Sequence, residues 1–244
     1  MSNIVIIPTY NEKENVERII RAIFALPVSF DVLIVDDNSP DCTADIVKKL
    51  QSEFDNLYLI EREGKLGLGT AYVAGFKWAI ARGYSYVYEM DADFSHNPKD
   101  LIKLFNTCHE GGADFAIGSR YISGVNVVDW PLSRIFMSYF ASVYVRTITG
   151  MKIMDTTAGF KCYKRQLLEN INFDKVRCAG YGFQIEMKFI AWKLGYKIVE
   201  VPIIFTDRKY GLSKMSGGIF KEAFWCVPRL KIRSMITKYP RPAI

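Results

Sequence analysis

The chain has 244 residues, half of them hydrophobic, and a formal net charge of +6. This is enough apolar material for a sizeable core in one large or two small domains. No stretch of eighteen residues lacks charge, so no membrane-spanning helix is expected, and the opening MSNIVIIPTY has neither the basic region nor the cleavage site of a signal peptide. The charge is uneven. From Arg208 onward there are nine basic residues and one acid, a net +8 that leaves −2 on the rest. Such an end attracts phosphates, an anionic membrane or nucleic acid, unless it is simply solvated. Cys42, Cys108, Cys162, Cys178 and Cys226 are odd in number and form no CxxC pair. They read as free thiols of a reduced cytosol.

The first half alternates strand and helix patterns. NIVIIP is a short apolar run ending at a turn, after which Asn11 and Glu14 have the spacing of a capping box for a first helix. DVLIVDD is a second buried-type strand, followed by the helix DCTADIVKKL with an acidic first turn. NLYLIE is a third strand. GTAYVAGFKWAIARG is a helix closed by Gly83. YSYVYEM, NPKDLIKLFNTCHEG and ADFAIGS continue as strand, helix and strand. Repeated units of this length argue an α/β fold with a mostly parallel central sheet flanked by helices. Ligands of such sheets sit outside the carboxyl ends of the strands.

The second half differs. WPLSRIFMSYFASVYVRTITG is apolar and aromatic but carries Arg134 and Arg146, too close together for a bilayer crossing. An amphipathic helix at an interface and a core helix both fit. AGFKCYKRQLLENI reads as strand then helix, GYGFQIEMKFIAWKLGY as a helix, and KIVEVPIIF as a strand. Residues 217–238 are helical in pattern, broken near Pro228, with an aromatic and basic mixture suited to a membrane surface. With no repeats or linkers, the chain reads as a catalytic domain over residues 1–215 and a basic helical extension over 216–244.

The strand ends carry the chemistry. Pro8, Tyr10 and Glu12 follow the first, Asp36 and Asp37 the second, Asp91 and Asp93 the fourth, and Ser119 and Arg120 the fifth. In an extended segment Asp91 and Asp93 point to one face, where two carboxylates repel and raise a pKa. A divalent cation relieves that repulsion, and Mg²⁺ typically takes one or two carboxylates and completes its shell with water and substrate phosphates. The pair therefore suggests a metal holding a diphosphate. An aspartyl phosphatase would place such a pair after the first strand with a hydroxyl residue close behind. GKLGLGT lacks the Lys-Ser/Thr of a phosphate-binding P-loop, and PTYNEKEN lacks the glycines of a dinucleotide site. A nucleotidyltransferase shares the sheet and an acidic metal site, but would carry a glycine-rich signature after the first strand. Tyr10 is compatible with base stacking or with simple packing, Gly67 and Gly69 with a turn before a helix, and His96 with a local structural role.

IPTYNEKENV, IVDDNSPDCT, GKLGLGTAYVAGF, MDADFSHNP, GSRY, GYGFQIEM and VPIIFTDRKYGLSKM occur in this order over nearly the whole chain. Together they resemble the family-2, GT-A-type glycosyltransferases, and among these the dolichyl-phosphate (polyprenyl-phosphate) mannose synthases. DADFSHNP and DRKYGLSK are the most specific segments. The family usually has glycine where this chain has Asn38 and Cys42. Asn tolerates a left-handed backbone, and Cys42 opens a helix.

The resemblance implies inverting transfer of mannose from GDP-mannose to a dolichyl or polyprenyl phosphate, with UDP-glucose or another nucleotide sugar as the alternative donor. It implies that Pro8, Tyr10, Glu12, Val35 and Asp37 line the nucleotide pocket. Asp91, Ala92 and Asp93 would hold donor phosphate, and Asp91, Asp93 and Ser95 a Mg²⁺ or Mn²⁺ ion. Arg120, Arg208 and Lys214 would bind donor phosphates, with Arg120 and Arg134 meeting the acceptor phosphate. The implied setting is peripheral, at the cytoplasmic face of a membrane, in some relatives with a small membrane-anchoring subunit. Nucleic acid is not an expected partner, because a mere binder of it has no use for Asp91 and Asp93. A sugar hydroxyl acceptor needs a general base. Here the helix GYGFQIEM has no Glu-Asp pair, no Gln-x-x-Arg-Trp follows, and Glu186 is a base only as a fallback. A phosphate monoester is already an anion and needs only cations to position it.

Overall fold

The computed structural model describes residues 2–178, 180–208, 217–237 and 239, and of residues 217–223 the backbone alone. Lys214 and most of the segment DRKYGLSKMSGG lie outside the described residues.

The first four strands, β1 (Asn3–Thr9), β2 (Asp31–Asp36), β3 (Leu57–Glu61) and β4 (Tyr86–Glu89), are parallel and adjoin in the order β3-β2-β1-β4. Their apolar runs are continuous because the sheet is covered on both faces. Successive side chains point to opposite faces. Ile4, Ile6, Leu33 and Val35 enter one core, and Val5, Ile7, Val32 and Ile34 the other. Helices α1 (Val16–Phe24), α2 (Thr43–Leu50) and α4 (Asp100–His109) cover the second face, while α3 (Leu68–Ala81) lies on the first. Gly75 lets α3 approach β1, since a Cβ there would sit 2.7 Å from the Ile6 side chain.

The remainder completes the sheet as β4-β7-β5-β8, through β5 (Phe115–Ser119), β7 (Lys161–Lys164) and β8 (Ile198–Pro202). β7 runs antiparallel to both β4 and β5, the one reversal among the sheet's described strands. β6 (Val127–Val128) and β9 (Phe205–Thr206) form a separate ribbon beside the strand ends. Helices α5 (Leu132–Thr149), α6 (Arg165–Glu169), α7 (Gly180–Leu194) and α8 (Gly217–Ile236) complete the first face, with Cys226, Val227 and Leu230 of α8 joining the core.

Two expectations fail. α1 begins at Val16 with Asn15 as N-cap, not at Asn11. Asn11 adopts φ 54° in the preceding turn, and the Glu12 carbonyl accepts from the amides of Asn15 and Val16. The helix is thus entered through a turn that spends Asn11 on backbone conformation. The five cysteines are not all free either. Cys178 and Cys226 form a disulfide, 48 residues apart in sequence, because α8 packs back against α7 and brings their Cα atoms to 6.2 Å. Cys42, Cys108 and Cys162 stay free, and cysteine usage no longer speaks for a reducing compartment. Asn38 and Cys42 do adopt left-handed conformations, at φ 56° and 67°.

Helix α5 divides along its length. Ser142, Val145 and Thr149 are buried, whereas Leu132, Phe136, Met137 and Phe140 are largely exposed. The core reading fits the second half, while the first half leaves an apolar surface exposed.

Candidate active site

The ends of β1, β2, β4 and β5 open onto one cavity of 280 Å³. Pro8 lies near the end of β1 and Tyr10 and Glu12 follow it, Asp37 follows β2, Asp91, Ala92 and Asp93 follow β4, and Arg120 follows β5; all line it. The spacing of strand and helix produces this convergence, because every parallel strand delivers its carboxyl end to the same edge. Arg134 and Arg208 also line the cavity. Val35 lies within the sheet in the core, and Ser95 is buried with its amide donating to Asp93 Oδ1 at 3.0 Å. Neither belongs to the cavity lining.

Of the two acids ending β2, Asp36 is structural. It accepts from Thr9 Oγ1 at 2.7 Å and from the Ser39 amide and hydroxyl at 2.8 and 2.6 Å. Asp37 turns to the cavity. Its Oδ2 accepts from the Leu66 amide at 3.2 Å and its Oδ1 lies 3.1 Å from Arg62 Nε. Burial lifts its pKa, against the pull of Arg62. Beside it Lys65 Nζ stands 4.7 Å over the Tyr10 ring. Gly67, at φ 98°, starts α3 at the cavity wall, while Gly69 meets Phe183 of α7 so closely that an added Cβ would come within 2.9 Å.

Asp91 is 39% exposed at the side chain and opens into the cavity. Burial, and next the charge on Asp93, push its pKa up to about 7, with Arg208 pulling the other way. Asp93 is buried and paired with Arg208 Nη2 at 2.9 Å. His96 packs against Phe160 and Phe205, its Nδ1 3.7 Å from Asp91 Oδ2. Burial lowers its pKa to about 4. Two hard carboxylates suit Mg²⁺ or Mn²⁺, and the raised Asp91 pKa marks a place where a cation is favoured. Among the described residues no group of three or more His, Cys, Asp or Glu side chains is arranged to hold a metal. A cation held by the pair would therefore have to complete its coordination with water and substrate oxygens, as is common for Mg²⁺.

Arg120 is fixed from below. Its Nε and Nη2 each donate to Asp155 at 2.7 Å, its amide donates to Asp155 at 2.9 Å, and Nη2 also reaches Thr157 Oγ1 at 2.8 Å. Burial opposes the charges of both Arg120 and Asp155, but the pair overcomes it, raising one pKa and lowering the other. Asp155 is carried by a loop whose Met154 and Asp155 amides donate to Glu200 of β8. Deeper, fully buried Lys161 pairs with Glu89 at 3.0 Å, and Gln184 bridges the two. Lys188 Nζ donates to the Ala158 carbonyl at 2.6 Å. Glu186 accepts from the Arg177 and Cys178 amides, both at 2.9 Å, and lies away from both cavities described here.

A second, apolar cavity of 520 Å³ runs between α5, α7 and α8, lined by Met137, Phe140, Ala141, Tyr144, Val145, Ile185, Phe224 and Val227 among others. It shares Arg120, Trp130, Arg134, Thr157 and Tyr181 with the polar cavity. Arg134 there pairs with Asp207 at 2.9 Å and lies 4.0 Å from the Trp130 ring centroid. Asp155, Trp130, Tyr181 and Lys65 escaped the reading of the sequence. Only Trp130 had a local signal, an aromatic beside Pro131 at a helix start.

The profile of Glycosyl transferase family 2 matches residues 4–171. The chain belongs to that family. It is 43% identical to the polyprenol monophosphomannose synthase of Mycolicibacterium smegmatis over 96% of this chain and 89% of that one. It is 45% identical to the undecaprenyl-phosphate mannosyltransferase of Micrococcus luteus, over 94% and 93%. Among solved structures it resembles the glucosyl-3-phosphoglycerate synthase of Mycobacterium tuberculosis in complex with Mn²⁺, UDP-glucose and phosphoglyceric acid. The TM-score there is 0.68 at 15% identity, over 100% of this chain and 88% of that one. S. aureus TarS in complex with UDP aligns at 0.61 and 21% identity, over 98% and 66%. The chain is a glycosyltransferase of GT-A fold.

Proposed function

We propose that this glycosyltransferase moves mannose from GDP-mannose to the phosphate of a polyprenyl or dolichyl lipid, with inversion at the anomeric carbon. The observation that carries this reading is the meeting of the polar and apolar cavities at Arg120 and Arg134. A nucleotide sugar matches the first cavity and an isoprenoid chain the second, so the acceptor phosphate falls between two guanidinium groups. The mannose-phosphate names of the two relatives support the same acceptor class.

In this reading Asp37, Glu12 and Tyr10 hold the nucleoside, and Arg208 and Lys214 the donor phosphates. Asp91 and Asp93 would hold Mg²⁺ or Mn²⁺, which when bound offsets the charge gathering on the departing diphosphate. A lipid phosphate oxygen forms the new bond to the anomeric carbon as the bond to the donor's diphosphate oxygen breaks on the opposite face. No base is required because the acceptor is already an anion, and positioning carries much of the catalysis. Arg120, held rigid by Asp155, and Arg134 orient that anion. In the same reading the protein works at the cytoplasmic face of a membrane, with or without an anchoring subunit, which the exposed apolar face of α5 and the basic extension over residues 216–244 support.

The test is incubation with Mg²⁺ or Mn²⁺, a polyprenyl phosphate, and labelled GDP-mannose or UDP-glucose in parallel, counting label in the lipid phase. Metal-dependent transfer from GDP-mannose is the expected result. Transfer from UDP-glucose alone would replace the donor, and transfer from neither would overturn the acceptor.

A further inference from the structure

Trp130 stands where the two cavities join and lines both. It immediately precedes Pro131, the N-cap of α5, and its ring is flanked by cations. The Arg134 Cζ lies 4.0 Å and the Arg120 Cζ 5.6 Å from its centroid. Phe205 packs edge-on against it at 5.2 Å. The indole nitrogen is buried and has no hydrogen-bond partner among the described residues. A buried tryptophan N–H usually finds an acceptor, because leaving it unpaired costs free energy.

Indole N–H only donates and never titrates into a charge. Between two guanidinium groups, the ligand that satisfies it is an anionic oxygen. We propose that Trp130 is a further acceptor-binding residue, its indole N–H donating to an oxygen of the phosphomonoester held between Arg120 and Arg134. This rests on the lipid-phosphate reading above and adds a neutral donor to it. The ring also serves as a stacking surface for Arg134, turning that guanidinium by cation–π contact.

Trp130→Phe keeps the ring and removes the N–H. With farnesyl phosphate as acceptor, its KM should rise about tenfold, as for loss of a hydrogen bond to a charged group, while the KM for the nucleotide sugar and the melting temperature stay put. In the wild-type protein, the ¹⁵N-indole resonance of Trp130, one of four tryptophans, should move downfield on adding farnesyl phosphate and not on adding farnesol. An active wild type with an unchanged acceptor KM in W130F overturns the Trp130 assignment alone. A wild type that transfers sugar to no polyprenyl phosphate removes the acceptor reading and this assignment together. If W130F folds poorly, the indole shift, assigned through the backbone, decides: a static resonance overturns the proposal.

Discussion

The two cavities that meet at Arg120 and Arg134 are built by different means. The polar one lies at the ends of parallel strands, so its acids are held by the sheet's hydrogen-bond ladder and by partners such as the Leu66 amide and Arg208. The apolar one lies between α5, α7 and α8, whose mostly apolar side chains line it. Strand ends fix charges to within hydrogen-bonding distance. Helix faces fix only a shape that hydrophobic chains fill. The proposed transfer from a charged donor to a lipid acceptor would need both, and the Arg120–Asp155 pair is central to the arrangement because Arg120 lines both cavities.

The sharpest way to break this comparison is at that pair. Asp155→Ala leaves Arg120 buried without its bidentate partner, and should lower the unfolding free energy by about 3–5 kcal/mol. Urea midpoints measure this, and transfer should fall with it. Asp93→Ala acts on the polar cavity alone. It should lower kcat about 10²–10³-fold, as does removal of a group stabilising transition-state charge, with circular dichroism unchanged; retained transfer would end the metal assignment. Replacing exposed Leu132 and Phe136, which lie outside both cavity linings, by Asp acts on the apolar side. Binding to anionic vesicles should weaken about tenfold, with melting temperature and turnover on a short-chain acceptor preserved. Unchanged sedimentation with vesicles would detach α5 from the membrane.

The smallest effect lies beneath both cavities. Burial, reinforced by Lys161, depresses the Lys188 pKa well below the ordinary lysine value. The unfolded chain then holds the extra proton, so this residue makes stability rise with pH between the folded and unfolded pKa values. Lys188→Met should therefore show a shallower rise than wild type between about pH 8 and about pH 10. Chemical denaturation across that range measures the slope, and equal slopes would mean that Lys188 is charged in the fold.

The order of elements was legible because strand and helix write different periods of apolar residues. Ile4 to Ile7, buried on both faces, read as a short apolar strand without any knowledge of its neighbours. The convergence of Glu12, Asp37, Asp91 and Arg120 followed, since parallel strands deliver their ends to one edge. The helix start at Val16 was misread because Asn11 looks like a cap in sequence but sits in a left-handed turn. Asp36 and Asp37 are equal as letters; only the alternation of the chain past β2 sends one into the Thr9 and Ser39 network and the other to the cavity.

Local sequence thus determined the α/β scaffold and the acidic edge, because backbone periodicity and strand direction act over a few residues. Tertiary structure decided the rest. Asp155 reaches Arg120 from 35 residues away, Cys226 reaches Cys178 across 48, and Trp130 meets both arginines only once α5 is docked. Such contacts depend on how helices lie across the sheet, a choice made by the packing of whole faces rather than by any short run of residues.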